Sequence, residues 1–120
     1  MMMMMTESMT TEMQTCMNAC MECHKICLET MTYCMSKGGK YVDMAMMSIM
    51  RDCSEICVMC TNMMINGSEF VTRTCILCAE MCDRCASACE TISDDSKMRD
   101  CVTACRRCAE ACRRMQMAHA

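Results

Sequence analysis

Seventeen cysteines recur along the chain in four groups, and within each group the interval is always three, four or seven residues. The first group is Cys16, Cys20, Cys23, Cys27 and Cys34, with Met31 expected to fill the gap before its last member. The second is Cys53, Cys57 and Cys60, and the third is Cys75, Cys78, Cys82, Cys85 and Cys89. The fourth is Cys101, Cys105, Cys108 and Cys112. At about 100° of rotation per residue, these steps return every side chain to one face of an α-helix. No two-residue alternation supports strands. The cysteines therefore lie on four narrow rows, one per helix, and none lies elsewhere.

Punctuation agrees with four helices. Gly38-Gly39, Asn66-Gly67-Ser68 and Ser93-Asp94-Asp95-Ser96 interrupt the chain, with glycine suited to helix ends and Ser or Asp to helix starts. The segments between them, Thr10–Lys37, Tyr41–Ile65, Glu69–Ile92 and Ser96–Met117, contain no Pro or Gly and are rich in helix formers. Short connections favour antiparallel neighbours. The expected fold is all-α, an antiparallel up-down-up-down four-helix bundle with a Cys-lined core. It forms one domain over residues 10–117, preceded by a flexible Met-rich arm over residues 1–9. Glu22, Lys25 and Glu29 on the first helix, and Arg106, Glu110 and Arg113 on the fourth, mark outward faces, so the sulfur rows turn inward.

Composition narrows what such a core can do. Leu, Ile, Val and Phe are rare, whereas Met occurs 22 times and Cys 17 times. Cysteine as a small hydrophobe explains one or two buried thiols. Seventeen would leave the core under-packed, and voids are destabilising, so something else is expected to occupy the interior. A net charge of −3 and three aromatic residues give nucleic acid nothing to hold. No apolar run reaches the ~18 residues of a membrane span. Met1 to Met5 is too short for a signal h-region and lacks a basic flank, so a cytoplasmic protein is expected. There thiols stay reduced and favour metal over disulfides, and an odd count fits a closed disulfide framework poorly.

Three arguments select multiple Cu(I) ions. Thiolate and thioether ligands are soft and prefer Cu(I). A C-x3-C pair on one helix can grip a two-coordinate ion unaided. Seven such pairs occur: Cys16/Cys20, Cys23/Cys27, Cys53/Cys57, Cys78/Cys82, Cys85/Cys89, Cys101/Cys105 and Cys108/Cys112. Charge is the third argument, because about one monovalent cation per thiolate neutralises an array too costly to bury bare. A Zn(II) or other soft-metal thiolate protein remains the alternative, although zinc sites usually use C-x2-C knuckles on turns. Iron–sulfur and di-iron signatures are missing. A thiol-based redox scavenger is a further alternative, but it needs an exposed, activated thiolate.

These residues resemble the cytosolic copper storage proteins, a Cys-rich four-helix-bundle family. The matching stretches run from Cys16-x3-Cys20-x2-Cys23-His24-x2-Cys27 on the first helix to Cys101-x3-Cys105-Arg106-Arg107-Cys108-Ala109-Glu110-x-Cys112 on the fourth. The resemblance covers about Met13 to Met115. It implies Cu(I) storage along the bundle core and homo-oligomers, often tetramers. Methionine at Met46, Met47 and Met50 departs from the Leu, Ala or His expected there.

Further residues continue the rows. Met9 and Met13 extend the first, Met46, Met50 and Met64 the second, and Met98, Met115 and His119 the fourth. Of these, Met46, Met50, Met64, Met115 and His119 join the cysteines as candidate ligands. The weaker thioethers are expected to pass copper inward from the ends. His24 lies off its row. Beside it, Met17, Met21, Leu28, Met31 and Met35 form a second apolar row, expected to be a contact between copies. Arg106, Arg107, Arg113 and Arg114 stand against few acids on their own helix and read as a solvated face, or as docking for a copper donor. A chelating small thiol could also deliver the metal.

Overall fold

Helix boundaries in the computed structural model follow from local caps. The structure describes the backbone of residues 2–118 and the side chains of residues 11–115. It contains α1 (Met2–Lys37), a short 3-10 turn (Gly39–Val42), α2 (Met44–Asn66), α3 (Val71–Ile92) and α4 (Ser96–Ala118). α1 runs back to Met2, past the boundary expected at Thr10, because that stretch holds no Gly or Pro and is rich in methionine, a good helix former. α2 starts three residues later than expected. Asp43 is extended, and its Oδ2 accepts the Met46 N–H at 2.9 Å, an N-cap that fixes the first turn. α2 ends at Gly67, whose left-handed φ of 68° lets its N–H reach the Met64 carbonyl and the next N–H, of Ser68, reach that of Met63. α3 begins at Val71 rather than Glu69 because Ser68 holds the preceding turn, accepting from Phe70 N–H at its hydroxyl. Asp95 caps α4, accepting from Met98 N–H at 3.0 Å.

α1 lies against α2 and α4, and α3 against the same two helices, so the four form a ring in chain order. The body measures 55 × 20 × 19 Å. Its interior is sulfur: every cysteine is buried, none more than 1% exposed. Among the described Leu, Ile, Val and Phe residues, Ile56 and Val71 alone reach the buried core. Ala79, Ala86, Ala104, Ala109 and Ala111 flank the rows and let the helices approach.

Two arginines of α4 find their acids on α3. Arg106 bonds Asp83 at 2.9 Å and Glu90 at 3.2 Å, and Arg113 also bonds Asp83. Arg114 pairs with Glu110 within α4. Such exposed pairs are each worth at most about 1 kcal/mol, but they replace the acid-poor face expected from the sequence. A second tie closes one end of the bundle. Tyr33 and Tyr41 both donate to Asp95 Oδ2, at 2.9 and 2.6 Å, joining the end of α1 to the connection before α4. These bonds hold the Asp95 carboxyl down to about 2, with Tyr41 the largest cause and the Met98 N–H the next.

Candidate metal centre

The sulfur rows meet as one elongated array. Sulfur atoms lie 3.8 Å apart for Cys16 and Cys112, 3.7 Å for Cys23 and Cys53, and 3.8 Å for Cys23 and Cys105. Cys53 and Cys82 approach to 3.5 Å, and Cys60 and Cys75 to 3.7 Å. Cys108 touches three other helices through Cys20 at 3.6 Å, Cys57 at 3.7 Å and Cys78 at 4.0 Å. The C-x3-C pairs also approach, with Cys23 and Cys27 at 4.0 Å and Cys78 and Cys82 at 3.9 Å. Most close sulfur pairs nevertheless join different helices, so the coordinating unit belongs to the bundle rather than to one helix.

Several four-sulfur sets have all members within 4.8 Å of one another. They include Cys20, Cys60, Cys78 and Cys112; Cys20, Cys57, Cys78 and Cys108; and Cys23, Cys53, Cys57 and Cys82. Two more are Cys23, Cys27, Cys53 and Cys105, and Cys27, Cys85, Cys101 and Cys105. These sets overlap. Closed tetrahedral zinc sites each need four thiolates, and each keeps a charge of about −2. At most three of the sets named can be chosen without sharing a cysteine. A monovalent soft ion that accepts shared thiolates uses the whole array and leaves it neutral.

No two of the described cysteines are joined as a disulfide. Burial pushes the Cys34 thiol up, and contact with Cys101 and Cys85 together with burial pushes Cys89 up. Cys57 is likewise raised by Cys108, Cys20 and burial. Cys20 moves the other way because Cys108 and Cys112 donate S–H bonds to it. The opposite directions belong to one set of thiols that donate to and accept from one another across the core. An activated thiolate open to peroxide or disulfide, which a redox scavenger requires, is not found among the described cysteines.

The structure sorts the other candidates. Met46, Met50 and Met98 are buried at the end that holds Cys34, whose sulfur sits 3.7 Å from that of Met98. Met64 and Met115 are buried at the opposite end, and Met13 is partly buried. His119 and the side chain of Met9 lie outside the described residues. His24 sits off the array with Nδ1 3.0 Å from the Ser54 carbonyl. The gap in the first row is filled by Thr30, not Met31: Thr30 is fully buried, while Met31 is partly exposed. Sequence reasoning also missed the tyrosine clasp, whose one signal was that both tyrosines of the chain flank the first connection.

Fold and site together define a class: a four-helix bundle with a thiol interior suited to soft metal ions. The chain belongs to the copper storage protein family, Csp, whose family model matches residues 9–117. The cysteine-rich protein YhjQ of Bacillus subtilis (strain 168) is 31% identical over 76 residues, 63% of this chain and 70% of that one. A crystal structure of a Nitrosospira multiformis protein superposes with a TM-score of 0.84 at 39% identity, covering 91% of this chain and 98% of that one. The Cu(I)-bound copper storage protein BsCsp3 gives 0.82 at 30% identity, covering 88% and 98%. The apo form of copper storage protein 3 from Bacillus subtilis gives 0.75 at 31%, covering 86% and 97%. No helix of the described residues is long and apolar enough to cross a membrane.

Proposed function

We propose that this chain stores Cu(I), holding many ions on the thiolates of its seventeen cysteines, with Met46, Met50, Met64 and Met115 as weaker thioether ligands at the two ends. The observation that carries this reading is the overlap of the four-sulfur sets, which makes the core one shared array rather than separate sites. The Cu(I)-bound relative supports the choice of ion. Uptake is ligand exchange: an incoming Cu(I) leaves the thiols of a donor or small chelator for core sulfurs, and the core thiols release their protons. No electron moves. The protein serves as a reservoir rather than an enzyme, in the reducing cytoplasm where thiols remain free.

Proton release tests thiolate ligation directly. Because burial holds the Cys34 thiol, and contact with Cys101 and Cys85 the Cys89 thiol, in the protonated form, loading from a weak nitrile complex of Cu(I) in unbuffered anaerobic solution is expected to release about one proton per ion. The same sign makes loading weaken as pH falls, since protons compete for the sulfurs. Loading without acidification would argue against thiolates as the ligands.

The outer row of α1 supports assembly of several copies. Met21 is 42%, Leu28 45% and Met35 58% exposed, an apolar stripe that a lone bundle leaves to water. A Met21→Glu, Leu28→Glu variant should sediment as a smaller species than the parent protein; an unchanged mass would remove this contact.

A further inference from the structure

Four described hydroxyl side chains are buried: Thr30, Ser54, Thr61 and Thr74. Three of them donate back to their own helix. Ser54 bonds the Arg51 carbonyl at 2.8 Å, Thr61 that of Cys57 at 3.0 Å, and Thr74 that of Phe70 at 2.8 Å. This back-bonding is how a helical hydroxyl ordinarily satisfies itself away from water. Thr30 does not do it. Its Oγ1 is fully buried and has no hydrogen-bond partner among the described residues, although the Ile26 carbonyl lies one turn back. An unpartnered buried hydroxyl destabilises a fold, so one that persists calls for a reason.

Its position supplies one. Thr30 stands on the inner row of α1, three residues after Cys27 and four before Cys34. Cys27 belongs to two of the four-sulfur sets named above, whereas Cys34 belongs to none of them and has the Met98 thioether as its near sulfur. Cys16, Cys75 and Cys89 also lie outside those sets, but Cys16 and Cys75 each have a cysteine sulfur within 3.8 Å and Cys89 is in contact with Cys101 and Cys85. This leaves a loaded Cys34 thiolate the least supported by neighbouring thiolates and their ions. In the metal-free core the sulfurs are thiols, which accept hydrogen bonds weakly. Once loaded they are thiolates, and a bond from a hydroxyl to an ionised acceptor is roughly twice as strong as a neutral one. Residues four apart share a helix face, so Thr30 and Cys34 are neighbours.

We propose that Thr30 is a positioning residue for the cargo: its hydroxyl stays unpartnered in the metal-free protein and donates to the Cys34 thiolate in the loaded one. The inference rests on the Cu(I) storage reading. Metal-free stability and Cu(I) retention respond to it in opposite directions, which a simple packing role does not allow.

The test compares Thr30→Val, which keeps the shape and removes the donor, with Thr30→Ser, which keeps the donor. Metal-free melting is followed anaerobically, and loaded protein is challenged with a graded Cu(I) chelator. Thr30→Val is expected to melt higher without metal, yet to give up its most easily extracted ion about tenfold more readily. Thr30→Ser is expected to retain Cu(I) as the parent does. Thr30→Ala, a second donor-free variant, must show the same tenfold loss. Retention unchanged in the donor-free variants would overturn the proposal and leave Thr30 a packing defect. A lower metal-free melting point for Thr30→Val would overturn it too, since the hydroxyl would then already be satisfied. Failure of the parent protein to hold Cu(I) would remove the storage reading itself, a result visible before any variant is made.

Discussion

Anaerobic loading with Cu(I) is expected to raise the melting temperature by at least about 15 °C, the largest effect the structure implies. The metal-free core is poor in the side chains that normally stabilise a bundle. A cysteine buries far less apolar area than a leucine, and burial contributes about 25 cal/mol per Å². Of the larger aliphatic and aromatic side chains described, Ile56 and Val71 alone are buried. Metal supplies what the core lacks. One site present at a thousandfold over its dissociation constant adds about 4 kcal/mol to the native state, and about 1 kcal/mol moves the midpoint of a domain this size by roughly 4 °C. Further ions add to that. Circular dichroism melts with and without Cu(I), followed by reversal with a strong chelator, check the expectation. A shift of only a degree or two would mean that the ions sit outside the folded core.

Removal of one central sulfur should matter more than removal of a peripheral one. Cys108 links α4 to α1, α2 and α3 through sulfurs no farther than 4.0 Å. Cys34 has the thioether of Met98 beside it at 3.7 Å. If ions share thiolates, Cys108→Ala removes a ligand from several of them at once, and such coupled sites are not additive. The variant is expected to hold about two or more fewer ions per chain, against about one at most for Cys34→Ala. Native mass spectrometry of the loaded proteins reads the difference directly. Equal losses would mean that each thiolate binds alone.

Much of this was legible in the sequence because helical periodicity reports on one helix at a time. The four rows, their inward direction and the order of the helices all follow from spacing and short connections. Spacing left one ambiguity that composition resolved wrongly. Both Thr30 and Met31 bridge Cys27 and Cys34 in steps of three and four, and a sulfur-rich row made Met31 the natural choice. The alternation of four and three that runs from Cys16 to Cys27 continues to Thr30, and the backbone obeys it. Cross-helix pairs such as Cys53 with Cys82 depend on how far each helix slides along its neighbour. That register, like the exact helix ends fixed by caps at Asp43, Gly67 and Asp95, appears only in three dimensions. The pairing of Arg106 and Arg113 with Asp83 and the clasp of Tyr33 and Tyr41 on Asp95 were hidden for the same reason.

The most direct test counts ions. Reduced protein is titrated with Cu(I) under anaerobic conditions in the presence of a competing chromogenic chelator, and the endpoint is read as ions per chain. A shared thiolate array predicts that the chelator stays metal-free past about ten ions per chain, with uptake approaching the number of thiolates. An endpoint at or below about three, as separate four-thiolate sites would give, contradicts it.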